Sequence, residues 1–128
     1  MLESSDLVAF VAATDLDRAR AFYEQMLGLP VLETNEFACV LDAHGTMLRV
    51  TAVPQVAGAG YTVLGWHVTD IATAVRDLTG RGVSFLRYDG MSQDEQGIWT
   101  APSGARVAWF ADPDENTLSL TQEGTQDG

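Results

Sequence analysis

Apolar and polar positions alternate along this chain in short blocks, and twice an apolar run closes on a Thr-Asp pair. Leu7 to Ala13 is rich in strand formers and ends at Thr14-Asp15, whose side-chain oxygens suit a helix N-cap. Leu16, Ala19, Phe22, Tyr23, Met26 and Leu27 then recur at three- and four-residue spacing, and Gly28 and Pro30 end the stripe. A helix over that stretch follows, and three strands after it, Val31 to Thr34, Phe37 to Asp42 and Met47 to Val53, with His44-Gly45 as the turn between the last two. Pro54 to Gly60 is small and uncharged and reads as a linker.

The same order returns downstream. Thr62 to Val68 is strand-like and ends at Thr69-Asp70, while Ile71, Ala74, Val75 and Leu78 make a helical stripe that stops at Gly80-Arg81-Gly82. Val83 to Arg87, Gly97 to Ala101, Arg106 to Phe110 and Thr117 to Thr121 are the strands that follow, with Asp112 to Asn116 as a turn. Superposing Asp15 on Asp70, a shift of 70 − 15 = 55, pairs Leu16 with Ile71 and Ala19 with Ala74, and Gly28 falls beside Gly82 after a one-residue gap. The pattern predicts one α+β domain over 1–128, made of two βαβββ modules at 6–53 and 61–122, a linker at 54–60 and a frayed tail from 123.

At 128 residues the chain can bury about two thirds of its unfolded surface without staples. Its single cysteine, Cys39, lies in the apolar run Phe37 to Leu41 and reads as a buried structural thiol. Met1 to Asp6 lack the basic and apolar stretches of a signal peptide, and no run reaches the ~20 apolar residues of a membrane span, so a cytoplasmic location is expected. Seven basic residues against 18 acidic ones give a charge of −11, which disfavours nucleic acid and anionic membrane partners.

Two motifs carry a family resemblance: Asp15-Leu16-Asp17-Arg18-Ala19-Arg20-Ala21-Phe22-Tyr23 with Leu27-Gly28-Leu29, and the closing Asp112-Pro113-Asp114-Glu115-Asn116-Thr117-Leu118-Ser119-Leu120. From Leu7 to Gln122 the chain resembles the vicinal oxygen chelate superfamily, which includes glyoxalase I, extradiol dioxygenases, fosfomycin-modifying enzymes and bleomycin-binding resistance proteins. The resemblance implies curved mixed sheets around a cavity, commonly completed in a homodimer. It also implies metal ligands at four positions, which in this chain are Val8, Arg49, Val63 and Ser119. Valine has no donor, arginine is a permanent cation and a lone serine hydroxyl is a poor ligand, so no metal and no cofactor is expected there.

Strand alternation from those positions turns Val8, Phe10, Ala12, Met47, Arg49, Thr51, Val63, Gly65, His67, Thr117, Ser119 and Thr121 toward the implied cavity. Leu7, Ala9, Val11, Leu48, Val50, Leu64, Trp66 and Val68 are then expected to pack beneath the helices. The candidate small-molecule contacts are Phe10, Met47, Arg49, His67, Trp99, Trp109 and Ser119, with the loop Arg87 to Gly97 placed to overlie them. His67 is open to three roles: a hydrogen-bonded core histidine, a ligand contact, or an acid/base or metal group. Arg49 either pairs with a carboxylate or meets an anion or a π face. No nucleophile with an adjacent base, no phosphate-cradling glycine loop and no Cys/His cluster at metal spacing is present. Three functions stay open: metal-free binding of an aromatic or amphipathic small molecule, as in drug sequestration and self-resistance; an isomerase, lyase or dioxygenase-like enzyme with a non-standard site using His67; and a module kept for association.

Overall fold

A computed structural model describes residues 1–58 and 60–124. The chain divides into two compact units, 1–58 and the residues from 60 onward. The end of the tail expected to fray, 125–128, and Ala59 of the expected linker lie outside the described residues.

In the first unit, β1 (Val8–Ala13), α1 (Leu16–Arg20), β2 (Val31–Thr34), β3 (Ala38–Ala43) and β4 (Thr46–Ala52) form the expected βαβββ order. The sheet runs β1-β4-β3-β2, with β1 parallel to β4 and the other pairs antiparallel. Parallel neighbours need a crossover, and α1 supplies it. Asp15 starts that helix by accepting the Arg18 amide at 3.1 Å. The expected helix to Leu27 changes its winding partway: Ala21–Met26 is π-helical, and the Leu27 amide donates to the Phe22 carbonyl at 3.1 Å. On an α-helix adjacent residues point roughly 100° apart. Phe22 and Tyr23 are both buried in this π-helical stretch, their rings edge to face at 5.0 Å. His44 and Gly45, with φ of 54° and 91°, make the predicted two-residue turn between β3 and β4. The core holds Val11, Ala38 to Leu41, Leu48 and Val50. Leu7, expected under the helix, is instead 73% exposed because β1 starts one residue later.

The second unit contains β5 (Thr62–His67), α2 (Ile71–Gly80), β6 (Trp99–Thr100), β7 (Arg106–Ala111) and β8 (Thr117–Gln122), in the sheet order β5-β8-β7-β6. Asp70 caps α2, accepting the Thr73 amide at 3.2 Å and the Thr73 hydroxyl at 2.8 Å. The repeat is also one of register: Phe10 pairs with Arg49 in the first sheet, and Gly65, 55 residues on, pairs with Ser119 in the second. Gly28 and Gly82 both leave their helices at positive φ, 78° and 100°.

Two expected strands are corrected. Val83 to Arg87 forms no strand; it gives one bridge, Phe85 to Phe110, and the Leu86 amide donates to the Trp109 carbonyl at 2.7 Å. Gly97 to Ala101 shrinks to Trp99–Thr100. Both segments lie along the same outer edge of β7, so they divide its hydrogen-bonding groups. Gln93 serves the backbone left over, donating to the Leu86 and Gly97 carbonyls at 3.0 and 2.8 Å and accepting the Tyr88 amide at 2.8 Å. No described helix is long and apolar enough to cross a membrane.

Candidate functional site

In the second unit, alternation sends Ala108, Phe110, Leu118 and Leu120 to the buried, helix-covered side. The opposite face carries two cross-strand rows, Gly65-Ser119-Trp109 and His67-Thr121-Val107-Trp99. Trp109 is the centre of an aromatic cluster there. Its ring meets Trp99 at 6.2 Å and Tyr88 edge to face at 5.5 Å. Beside it opens a recess of about 230 Å³ lined by Tyr61, Thr62, Tyr88, Met91, Trp109 and Thr117. Tyr88 and Met91 belong to the loop that sequence singled out, and the Gln93 hydrogen bonds fix its path. Tyr61 was missed: it sits between the linker and β5, where no periodicity reaches it.

The other candidates take different positions. Ser119 is only 8% exposed, at the floor of the face, and its hydroxyl lies where a Cβ on Gly65 would come within 2.7 Å. His67 is exposed on β5, and no described residue hydrogen-bonds to its imidazole, so nothing there sets its tautomer or aims it as a general base. In the first unit, Phe10, Arg49, Val40 and Glu33 form one row across the sheet. Phe10 is 63% exposed and Met47 40% exposed. Arg49 is half-buried between Phe10 and Val40, and its side chain forms no hydrogen bond or ion pair with a described residue. Trp66, read as core, is half-buried and stacks on Phe110 at 6.3 Å.

The metal chemistry of the resembled family does not fit this donor set. Val8, Arg49, Val63 and Ser119 offer one hydroxyl among them, and that hydroxyl sits over Gly65. Among the described residues no group of three His, Cys, Asp or Glu side chains could hold a metal ion. Cys39 is buried, and burial pushes its thiol above the ordinary value despite the nearby Arg20 guanidinium, which keeps it protonated and unreactive at neutral pH.

Comparison with known proteins gives a consistent picture. The profile of the Glyoxalase/Bleomycin resistance protein/Dioxygenase superfamily matches residues 6–120. Among solved structures, TnmS3, an antibiotic binding protein from Streptomyces sp. CB03234, is similar with a TM-score of 0.72 and 24% identity, covering 97% of this chain and 99% of its own. A glyoxalase family protein from Bacillus anthracis superposes with a TM-score of 0.72 at 16% identity, over 94% and 95%. Lactoylglutathione lyase from Agrobacterium tumefaciens gives 0.66 at 18% identity, over 93% of each chain. At these identities the structural likeness speaks for the fold. A search of curated proteins returns no match.

Proposed function

The chain belongs to the Glyoxalase/Bleomycin resistance protein/Dioxygenase superfamily, and from that premise we propose that it is a metal-free binding protein for an aromatic or amphipathic small molecule, of the drug-sequestering type. The observation that carries this reading is the aromatic recess on the face of the second sheet turned away from α2. Trp109, Tyr88, Tyr61 and Met91 supply broad apolar and π surface there. Thr62 and Thr117 add hydroxyls at its edge, and the loop is held in place before a ligand arrives. Such a site selects flat, largely apolar ligands and needs few polar anchors. The antibiotic-binding neighbour shares the fold and lends this reading support. An enzyme using His67 is less well supported, because no described group orients that imidazole.

The recess contains a tryptophan, so binding is measurable by quenching of intrinsic emission. A panel of aromatic natural products, planar polycyclic antibiotics among them, is expected to contain compounds that quench saturably, and Trp109→Leu is expected to weaken them roughly tenfold or more, ~1.4 kcal/mol. Monitoring each hit for turnover keeps the enzyme alternative in view. Hits that bind Trp109→Leu and native protein equally, with the variant folded, would place the site elsewhere. Conversion of a hit that stops in His67→Ala would replace binding with catalysis.

A further inference from the structure

We propose that the second unit carries another ligand site, on the helix side of its sheet, that takes a small amphipathic carboxylate. A recess of about 450 Å³ opens between α2 and the segments 83–87 and 95–96. It shares no lining residue with the aromatic recess around Trp109. Val75 and Val83, both buried, and Phe85 give it an apolar floor. Arg76 and Arg87 line the same recess.

What matters is that two cations line one recess. With 18 acidic residues against seven arginines, carboxylate partners are abundant. Arg20 meets Glu24 at 3.1 Å and Arg106 meets Asp94 at 3.9 Å. Arg76 and Arg87 are instead oriented by neutral oxygens. The Arg87 Nη2 donates to the Glu95 main-chain carbonyl at 2.7 Å, and the Arg76 Nη2 to the Thr73 hydroxyl at 3.4 Å. Neither guanidinium has a described carboxylate within 4.0 Å; Arg76 feels the Asp70 carboxylate only from farther off, through the shared Thr73 hydroxyl, and Arg87 meets a main-chain carbonyl alone, so an anion that enters finds donors with little reorganisation left to make. The Gln96 side chain donates to the Ala72 carbonyl at 3.1 Å and ties the 95–96 segment to α2, so the walls are joined across the recess.

The same surroundings limit the anion. Glu95, an acidic residue, is among the lining residues, and the net charge of −11 repels further negative charge, so a single anionic head is favoured over a phosphate dianion. The apolar floor then takes a hydrocarbon or aromatic body attached to that head.

Isotope-labelled full-length protein titrated with phenylacetate, with phenol as the neutral control and inorganic phosphate as the polyanionic one, tests this assignment by amide chemical shifts. Phenylacetate should shift resonances of Val75, Phe85 and Arg87 saturably, at least tenfold more tightly than phenol or phosphate. Arg76→Gln/Arg87→Gln should weaken it by about tenfold or more. Because Arg87 also braces the loop, Arg76→Gln alone should show part of that loss with an unchanged Tm. Trp109→Leu should leave phenylacetate binding intact, which separates failure of this site from failure of the aromatic one. Equal binding of phenol and phenylacetate, full affinity in the double variant, or no saturable shift up to millimolar concentration would each overturn the proposal.

Discussion

Gly65 shows how one residue can be placed correctly by its pattern and still hide its reason. Alternation along β5 puts it on the same face as Ser119, as the sequence predicts, and the strand pairing sets the two opposite each other. Why glycine stands there is visible only in three dimensions: an added Cβ would lie 2.7 Å from the Ser119 Oγ and 3.4 Å from its carbonyl oxygen. Ser119 is buried, so relief requires a shift of side chain or backbone. Gly65→Ala is therefore expected to destabilise the protein by ~1–3 kcal/mol through overpacking, seen as a lower urea midpoint at unchanged slope. Combining it with Ser119→Ala removes the nearer atom and should recover part of the loss. A Gly65→Ala variant as stable as native protein would mean that the strands separate more easily than this contact implies. Arg49 was legible in the same way: its residue type and face were readable, whereas the lack of a described partner for its guanidinium between Phe10 and Val40 was not.

Among the elements, the first sheet was the most legible because each of its strands has a whole neighbour to pair with. The Asp15 and Asp70 caps, the His44-Gly45 turn and the Asp112–Asn116 turn came from local chemistry alone, and local chemistry does not depend on the rest of the fold. Val83 to Arg87 misled because strand propensity is satisfied only if an edge is free, and β7 shares its edge between two segments. Gln93, whose side chain bonds three backbone groups, gives no sequence signal that separates it from any loop glutamine. The α2 cap has a pH signature. The Thr73 hydroxyl, then the Thr73 amide, hold the Asp70 carboxyl below its ordinary value of 3.8, so the folded chain binds that proton less readily than the unfolded one. Its stabilisation is complete above the unfolded-state value and is lost as pH falls through the folded-state one. Asp70→Ala should accordingly lower Tm at neutral pH, and the gap to native protein should close as the solution is acidified below 3.8. A gap that persists unchanged under acid would assign the effect to something other than the carboxylate.

For the whole molecule, a duplicated scaffold and a family were readable from two motifs, while the ligand was not, because one scaffold hosts many activities and the aromatic recess is assembled from the linker end, a loop and β7. The most consequential departure from the family is chemical rather than architectural. Each repeat keeps its register, yet the four positions where the resemblance implies ligands hold Val8, Arg49, Val63 and Ser119. Val8 and Val63 carry no donor, Arg49 is a permanent cation and Ser119 offers a single hydroxyl, against the several lone-pair donors that divalent ions need. Elemental analysis after mild purification should therefore find far less than one Zn, Ni, Mn or Fe per chain. Trace binding to the acidic surface is separable from a true site by stability. A metal held only by the folded state at ~100 times its Kd would add about 2.7 kcal/mol, and chelation would remove it. Tm is expected to be unmoved by a chelator and by added Zn or Mn at constant ionic strength. A chelator-sensitive Tm together with stoichiometric metal would show that donors outside these four positions have taken over the family's chemistry.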